Sequence, residues 1–312
     1  MHRRRFLTIT AGAAGMALLS PRRAVALTRW QGVALGAEAS ITLDHPQADR
    51  LIARARDEIA RLEDVFSLYR PGSALSRLNA AGTLQAPPFE LLDCLALAGR
   101  VHDATEGAFD PTIQPLWALH AEHAARGGTG APPQAAREAV LARVGWRHVR
   151  FDTAEIRLRP GAALSLNGIA QGYIADRVAD LLRAEGLTDV LVDTGEMHAL
   201  GGDPRGGPWQ VHLRSSEGQV PGAVALSEAA LASSAPRGTT FDAAGRVGHI
   251  LDPRSGRPAP SRWRLVSVMA PRAGLADALS TAFVLLPRAG IDAALARWPE
   301  VRLARLIPGD AA

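Results

Sequence analysis

Ser165-Leu166-Asn167-Gly168-Ile169-Ala170-Gln171-Gly172-Tyr173 decides how the middle of this chain folds. Residues 163–166 read as a strand, and a helix opens directly after them, covering about 168–184. Two glycines at a helix start let a ligand approach the backbone, and the N–H groups of the first turn favour an anion. A glycine between strand and helix is also ordinary turn chemistry, so both readings stand at this point. Past Gly186, residues 190–193 read as the next strand.

Outward from this turn the chain alternates between the two periodicities and shows no internal repeat. Upstream, 31–43 looks extended, with Ile41 and Leu43 alternating against polar neighbours. Asp44 is placed to cap a helix in which Leu51, Ile52, Ala55, Ile59, Leu62 and Phe66 recur at helical spacing. A second helix is expected over 89–105, a flexible Ala/Gly/Pro-rich loop over 121–136, and strands over 149–152 and 155–159. Downstream come strands at 209–213 and 265–269, helices at 274–286 and 291–298, and a strand at 301–307. Strands dispersed among helices in this way must pair over long range.

Composition excludes several functions. All 35 basic side chains are arginine, with no lysine, which inflates the sequence pI of about 10.3. Five of them lie in residues 1–26, where there is no acid, so removing that segment leaves 30 basic against 31 acidic residues. The remaining arginines are scattered, and no phosphate-backbone footprint for a nucleic acid is visible. Cys94 is the only cysteine, which rules out an internal disulfide, and it sits beside Leu91, Leu95 and Ala98 on an apolar helical face. Residues 1–26 read as an exported leader: Arg3-Arg4-Arg5-Phe6-Leu7 fits the twin-arginine pattern, a short apolar run follows, and Ala24-Val25-Ala26 fits a cleavage site. Residues 27–312 form the remaining domain, and no later apolar run is long enough to span a membrane.

The residues that carry chemistry stand far apart in the chain. Asp277, Ser280 and Thr281 share one side of a predicted helix at spacings of three and four. One carboxylate with two hydroxyls makes a poor zinc site but suits Mg²⁺, which takes hard oxygen donors and shares them with phosphates. Mid-helix hydroxyls also bond back to carbonyls one turn earlier, which is the structural alternative. Gly107-Ala108-Phe109-Asp110-Pro111-Thr112 reads as a turn with a carboxylate restrained by proline, structural if taken alone. Tyr69, one of two tyrosines, offers a flat face for a ring system. His249 opens His-Ile-Leu-Asp-Pro-Arg-Ser-Gly and is a candidate for proton handling or phosphate orientation.

In their order and spacing these blocks resemble the ApbE family, the FAD:protein FMN transferases, from about residue 30 to 285. Phe66-Ser67-Leu68-Tyr69, Ser73 through Leu75-Ser76-Arg77-Leu78-Asn79, Ala108-Phe109-Asp110, the 165–173 turn, His249-Ile250-Leu251-Asp252-Pro253 and Asp277 through Thr281 match its motifs. The resemblance implies an α+β fold of mixed, largely antiparallel sheets flanked by helices, a T-fold-related architecture with a cleft for FAD. It implies FAD contacts at Leu35, Tyr69, Ala108, Phe109, Asp110, Ser165, Gln171 and Leu251. It also implies Mg²⁺ held by Asp277, Ser280, Thr281 and the Gly168 carbonyl, with His249 and Asp277 catalytic. Ser165 replaces the family's usual Asp, Gln171 its usual Lys, Ser280 a frequent second acid, and Thr194-Gly195-Glu196 a Gly-Gly-Asp turn.

The implied reaction is Mg²⁺-dependent transfer of FMN from FAD to a threonine hydroxyl of an acceptor protein, with release of AMP. The acceptor would be an exported flavoprotein domain, such as a membrane-anchored electron-transfer protein, and the site of action the periplasm. Asn167-Gly168-Ile169-Ala170-Gln171-Gly172-Tyr173, Asp193-Thr194-Gly195-Glu196-Met197-His198-Ala199-Leu200-Gly201 and the leader look most like the NosX branch, linked to nitrous oxide reductase maturation. Two alternatives remain at this stage: a non-catalytic flavin carrier and an Mg²⁺-dependent FAD pyrophosphatase.

Overall fold

The computed structural model describes residues 7–9, 27–215, 218–242 and 244–309. The leader expected over 1–26 therefore lies outside the described residues except for Leu7–Ile9, a short strand (β1) paired with Trp209–Ser215 (β9).

The sequence between 27 and 43 makes a hairpin rather than one extended run. Thr28–Ala34 (β2) and Ala37–Leu43 (β3) pair antiparallel through a turn in which both Leu35 (φ 46°) and Gly36 (φ 77°) are left-handed. The next helix, Ala48–Phe66 (α1), takes its N-cap from Gln47 rather than Asp44, and no side chain bonds its first turn. Its apolar stripe is buried as the periodicity requires.

Four antiparallel strands complete the central sheet: Val190–Asp193 (β7), Met197–Leu200 (β8), Ala229–Ser234 (β11) and Trp263–Ala270 (β12). With Arg302–Pro308 (β13) at the edge, the order is β13-β12-β11-β8-β7-β3-β2. Both faces of this sheet are covered, and side chains of period two divide between two cores. Val190 and Val192 point into the larger core, and Leu191 into the smaller. The larger core is closed by α1, Phe89–Ala104 (α3), Ala170–Ala184 (α6) and Ala273–Phe283 (α7). The smaller is closed by β9 and Gly218–Leu226 (β10), through Trp209, Val211, Leu213, Val224 and Leu226.

A second small sheet joins Thr83–Gln85 (β4), Glu155–Leu158 (β6) and Val149–Phe151 (β5). The strand expected at 163–166 does not form. Its backbone is taken instead by a side chain: Asn79, on Ala74–Ala81 (α2), donates to the Leu164 carbonyl (2.8 Å) and accepts from its N–H (2.7 Å). The loop expected over 121–136 is shorter, because Gln114–Ala125 (α4) and Gln134–Leu141 (α5) close on it from both sides. Arg288–Leu295 (α8) stands in place of the helix expected at 291–298. The architecture is the expected α+β arrangement of largely antiparallel sheets flanked by helices.

Candidate active site

One cleft lies over the 163–169 segment, the start of α6, the middle and end of α7, and the loop between β11 and β12. It collects most of the residues singled out in the sequence. Gly168, Asp277 and Thr281 all line it, with Gly168 packed against Thr281. The approach is close: a Cβ on Gly168 would sit 2.9 Å from Thr281 Oγ1, so this position admits only glycine without displacing the threonine. Asp277 is 4% exposed and accepts the Gly172 N–H at Oδ2 (3.2 Å), tying α7 to the first turn of α6.

Ser280 is not brought to the cleft. It is fully buried, and its hydroxyl donates to the Asp277 carbonyl (3.0 Å) and lies 2.8 Å from Ser234 Oγ. This is the back-bonding expected of a mid-helix serine. Ser234, on β11, lines the cleft and also reaches Thr281 Oγ1 at 3.4 Å. The second hydroxyl beside Thr281 on the cleft is therefore Ser234's, and it arrives from a strand that no helical spacing reveals.

Aromatic and aliphatic residues make the walls. Tyr69 is 71% exposed at the lip, whereas Ala108, Phe109 and Leu251 are buried and line the interior. Leu35 is not part of the lining; its N–H is held by Glu63 Oε1 (2.7 Å) at the hairpin turn, and its neighbours Ala37 and Glu38 reach the cleft instead. Asp110 lines the cleft, but its carboxylate is already engaged as a local cap. Oδ1 accepts from Thr112 N–H and hydroxyl (2.8 and 2.6 Å), and Oδ2 from Trp146 N–H (3.0 Å). Both the turn reading and the cleft reading of this residue thus hold at once.

His249 lies half-buried on the loop, with Nδ1 2.9 Å from the Thr239 carbonyl. A carbonyl only accepts, so Nδ1 carries a proton in this contact. Ser165 opens the helix-start turn, accepting the Asn167 N–H at 3.5 Å while its own N–H bonds the Pro111 carbonyl. Gln171 is 8% exposed and its amide nitrogen, buried against Gly195, has no hydrogen-bond partner. A buried unpaired donor costs about 1–3 kcal/mol, a cost that an acceptor reaching this wall would relieve.

Asp193 and Glu196 also line the cleft, although the sequence placed Asp193 only at a strand end and Glu196 only in a turn. Glu196 Oε2 accepts the Ser233 N–H (3.0 Å). Burial, followed by the charges of Asp277 and Asp193, holds its carboxyl well above the usual range, against the opposing Ser233 bond. Cys94 is buried and, as expected, packs: burial, with Asp93 and Asp277 adding, pushes its thiol up. The thiol is therefore not a nucleophile.

Hard oxygen donors beside a glycine-bearing helix start, between apolar walls, are groups that could hold a large anionic ligand and an oxygen-loving cation. The chain belongs to the ApbE family, whose model matches residues 35–303. A FAD:protein FMN transferase of Treponema pallidum is 33% identical over 294 residues, covering 80% of this chain and 77% of its own length. One of Haemophilus influenzae is 29% identical over 309 residues, covering 92% and 88%. Among solved structures, the apo form of the Pseudomonas stutzeri flavinyl transferase ApbE superposes with a TM-score of 0.75 at 28% identity, over 86% of this chain and 87% of that one.

Proposed function

We infer that this chain is an FAD:protein FMN transferase, moving the flavin phosphate of FAD onto another protein. The observation that carries the reading is one cleft lined by Gly168, Asp277 and Thr281 together with Tyr69, Phe109 and Leu251, in a member of the ApbE family. The finer terms of the reaction are Mg²⁺ dependence, a threonine hydroxyl as acceptor and AMP as the leaving group.

The donor set fits magnesium. The Asp277 carboxylate, the Thr281 hydroxyl and the Gly168 carbonyl are hard oxygens and none is a nitrogen or sulfur ligand. Bound there, the ion would neutralise charge on the phosphates of FAD. The chain's own residues do the rest by positioning. Tyr69, Phe109 and Leu251 bracket the ring system, and the Gln171 amide donates to the ligand. Ser234 holds the Thr281 hydroxyl in place. The acceptor hydroxyl oxygen attacks the FMN phosphorus, the bond to the AMP oxygen breaks, and the hydroxyl proton passes to His249 Nε2. Ser280 stabilises the helix and the Ser234 contact rather than holding the ion.

The leader pattern supports export by the twin-arginine route to the periplasm, and the 167–173 and 193–201 motifs support a place in the NosX branch, serving nitrous oxide reductase maturation. The acceptor is then an exported flavoprotein domain. No helix among the described residues is long and apolar enough to cross a membrane. Incubation with FAD, Mg²⁺ and a threonine-bearing flavoprotein domain tests the chemistry by intact mass. The expected gain is one FMN per acceptor, abolished by chelation and reduced at least a thousand-fold in Asp277→Ala. Free FMN and AMP beside an unmodified acceptor, across several acceptors, would replace the transferase reading with hydrolysis.

A further inference from the structure

Helix α7 begins without a cap of its own, for Arg272, the residue before its first turn, offers no side-chain acceptor. The cap comes from the neighbouring helix. Asp176 on α6, 3% exposed, accepts the Ala273 N–H at Oδ1 (2.7 Å) and the Gly274 N–H at Oδ2 (3.0 Å). The same Oδ1 lies 2.6 Å from Nδ1 of His198, a residue of β8 that is 2% exposed. Arg272 Nε stands 3.4 Å from Oδ2, and its guanidinium is fastened at both ends to Asp180 at 2.7 Å.

In the opposite direction, Asp277 on α7 accepts the N–H of Gly172 in the first turn of α6. The two helices therefore clasp each other, each carboxylate holding the opening turn of the other helix. Ala273, Asp277 and Thr281 follow at intervals of four along one side of α7. The grip on Ala273 thus sets where the next two turns place their side chains.

We propose that Asp176 is a positioning residue for the metal-holding helix: by gripping Ala273 and Gly274 it sets the depth and rotation at which Asp277 and Thr281 meet Gly168. It does not touch the cleft and acts only through α7. The proposal rests on the reading of Asp277 and Thr281 as metal-holding residues. The role requires a carboxylate, since both oxygens accept main-chain N–H groups. An asparagine there would turn one of them into a donor facing a donor.

The test compares the full chain with Asp176→Asn and with His198→Gln, which loosens the same carboxylate from β8. Glu185→Gln, at the exposed end of α6, is the control. Mn²⁺ binding in the presence of FAD is followed by electron paramagnetic resonance, FAD binding in chelator by flavin fluorescence, and flavin transfer as a function of Mg²⁺. Asp176→Asn is expected to weaken Mn²⁺ binding at least ten-fold and to raise the KM for Mg²⁺ by a similar factor. Its kcat at saturating Mg²⁺ should stay within about three-fold and its FAD affinity within two-fold. His198→Gln should move the same quantities about three-fold, which keeps the test alive if Asp176→Asn does not fold, and Glu185→Gln should move none. Wild-type metal affinity in both variants, or FAD and metal affinities falling together, would overturn the positioning role. A wild-type protein that takes up no Mn²⁺ with FAD would instead overturn the metal reading beneath it.

Discussion

At the scale of single residues, Gln171 and Glu196 show where this cleft stores cost. The Gln171 amide nitrogen is buried and unpaired, so Gln171→Leu should stabilise the ligand-free protein by about 1 kcal/mol. The same change should weaken FAD binding about ten-fold, read by calorimetry beside thermal melting; a loss of stability instead would mean the amide is satisfied within the protein. Glu196 holds its proton more tightly in the folded chain than in the unfolded one, because burial and the neighbouring Asp277 disfavour its charge. Its contribution to stability is then present at low pH and is lost as pH rises above about 4.5, the ordinary value. Glu196→Gln should raise the melting temperature at neutral pH, and the gain should shrink toward pH 4.5. A pH-independent difference would remove titration as its cause. Asp277, Thr281, His249 and Gly168 were legible through the family motifs they resemble, and all four line the cleft. The sequence hid Ser234, Asp193 and Glu196, whose place depends on which strands lie side by side.

At the scale of elements, the close contact of α6 and α7 depends on glycine. A Cβ on Gly172 would stand 2.2 Å from the Ala273 carbonyl oxygen, a backbone atom that cannot swing aside. Gly172→Ala should therefore force the helices apart and cost about 1–3 kcal/mol or more, with a parallel rise in the Mg²⁺ requirement; unchanged melting and metal response would show the pair to be compliant. Elements with a strong apolar period, such as α1, were legible in the sequence. Elements were missed where the pattern carries no period: β11 is Ala-Ala-Leu-Ala-Ser-Ser, small enough to lie under α7 and too plain to announce a strand. The strand misread at 163–166 has the composition of a strand but finds Asn79 where a neighbouring strand would be. Asp44 likewise has the chemistry of a cap, yet the chain turns three residues further before the helix begins.

At the scale of the whole molecule, the sheet separates a working face from a supporting one. The cleft and the helices lie on one side, and β9 and β10 close the other around Trp209, which is 3% exposed. Trp209→Ala should cost about 3–5 kcal/mol of stability while leaving FAD affinity within two-fold at a temperature where the variant is folded. A selective loss of FAD binding would show that the two faces are coupled. The cleft itself draws on residues from Ala37 to Leu285, and β13, which completes the sheet beside β12, comes after them all. A ribosome that has made three quarters of this chain has made no binding site, because α7 has yet to be synthesised. Contacts of such long range form slowly, and early domains of a growing chain collapse before later segments arrive. Flavin capture is accordingly a property of the finished molecule and comes last in its biosynthesis.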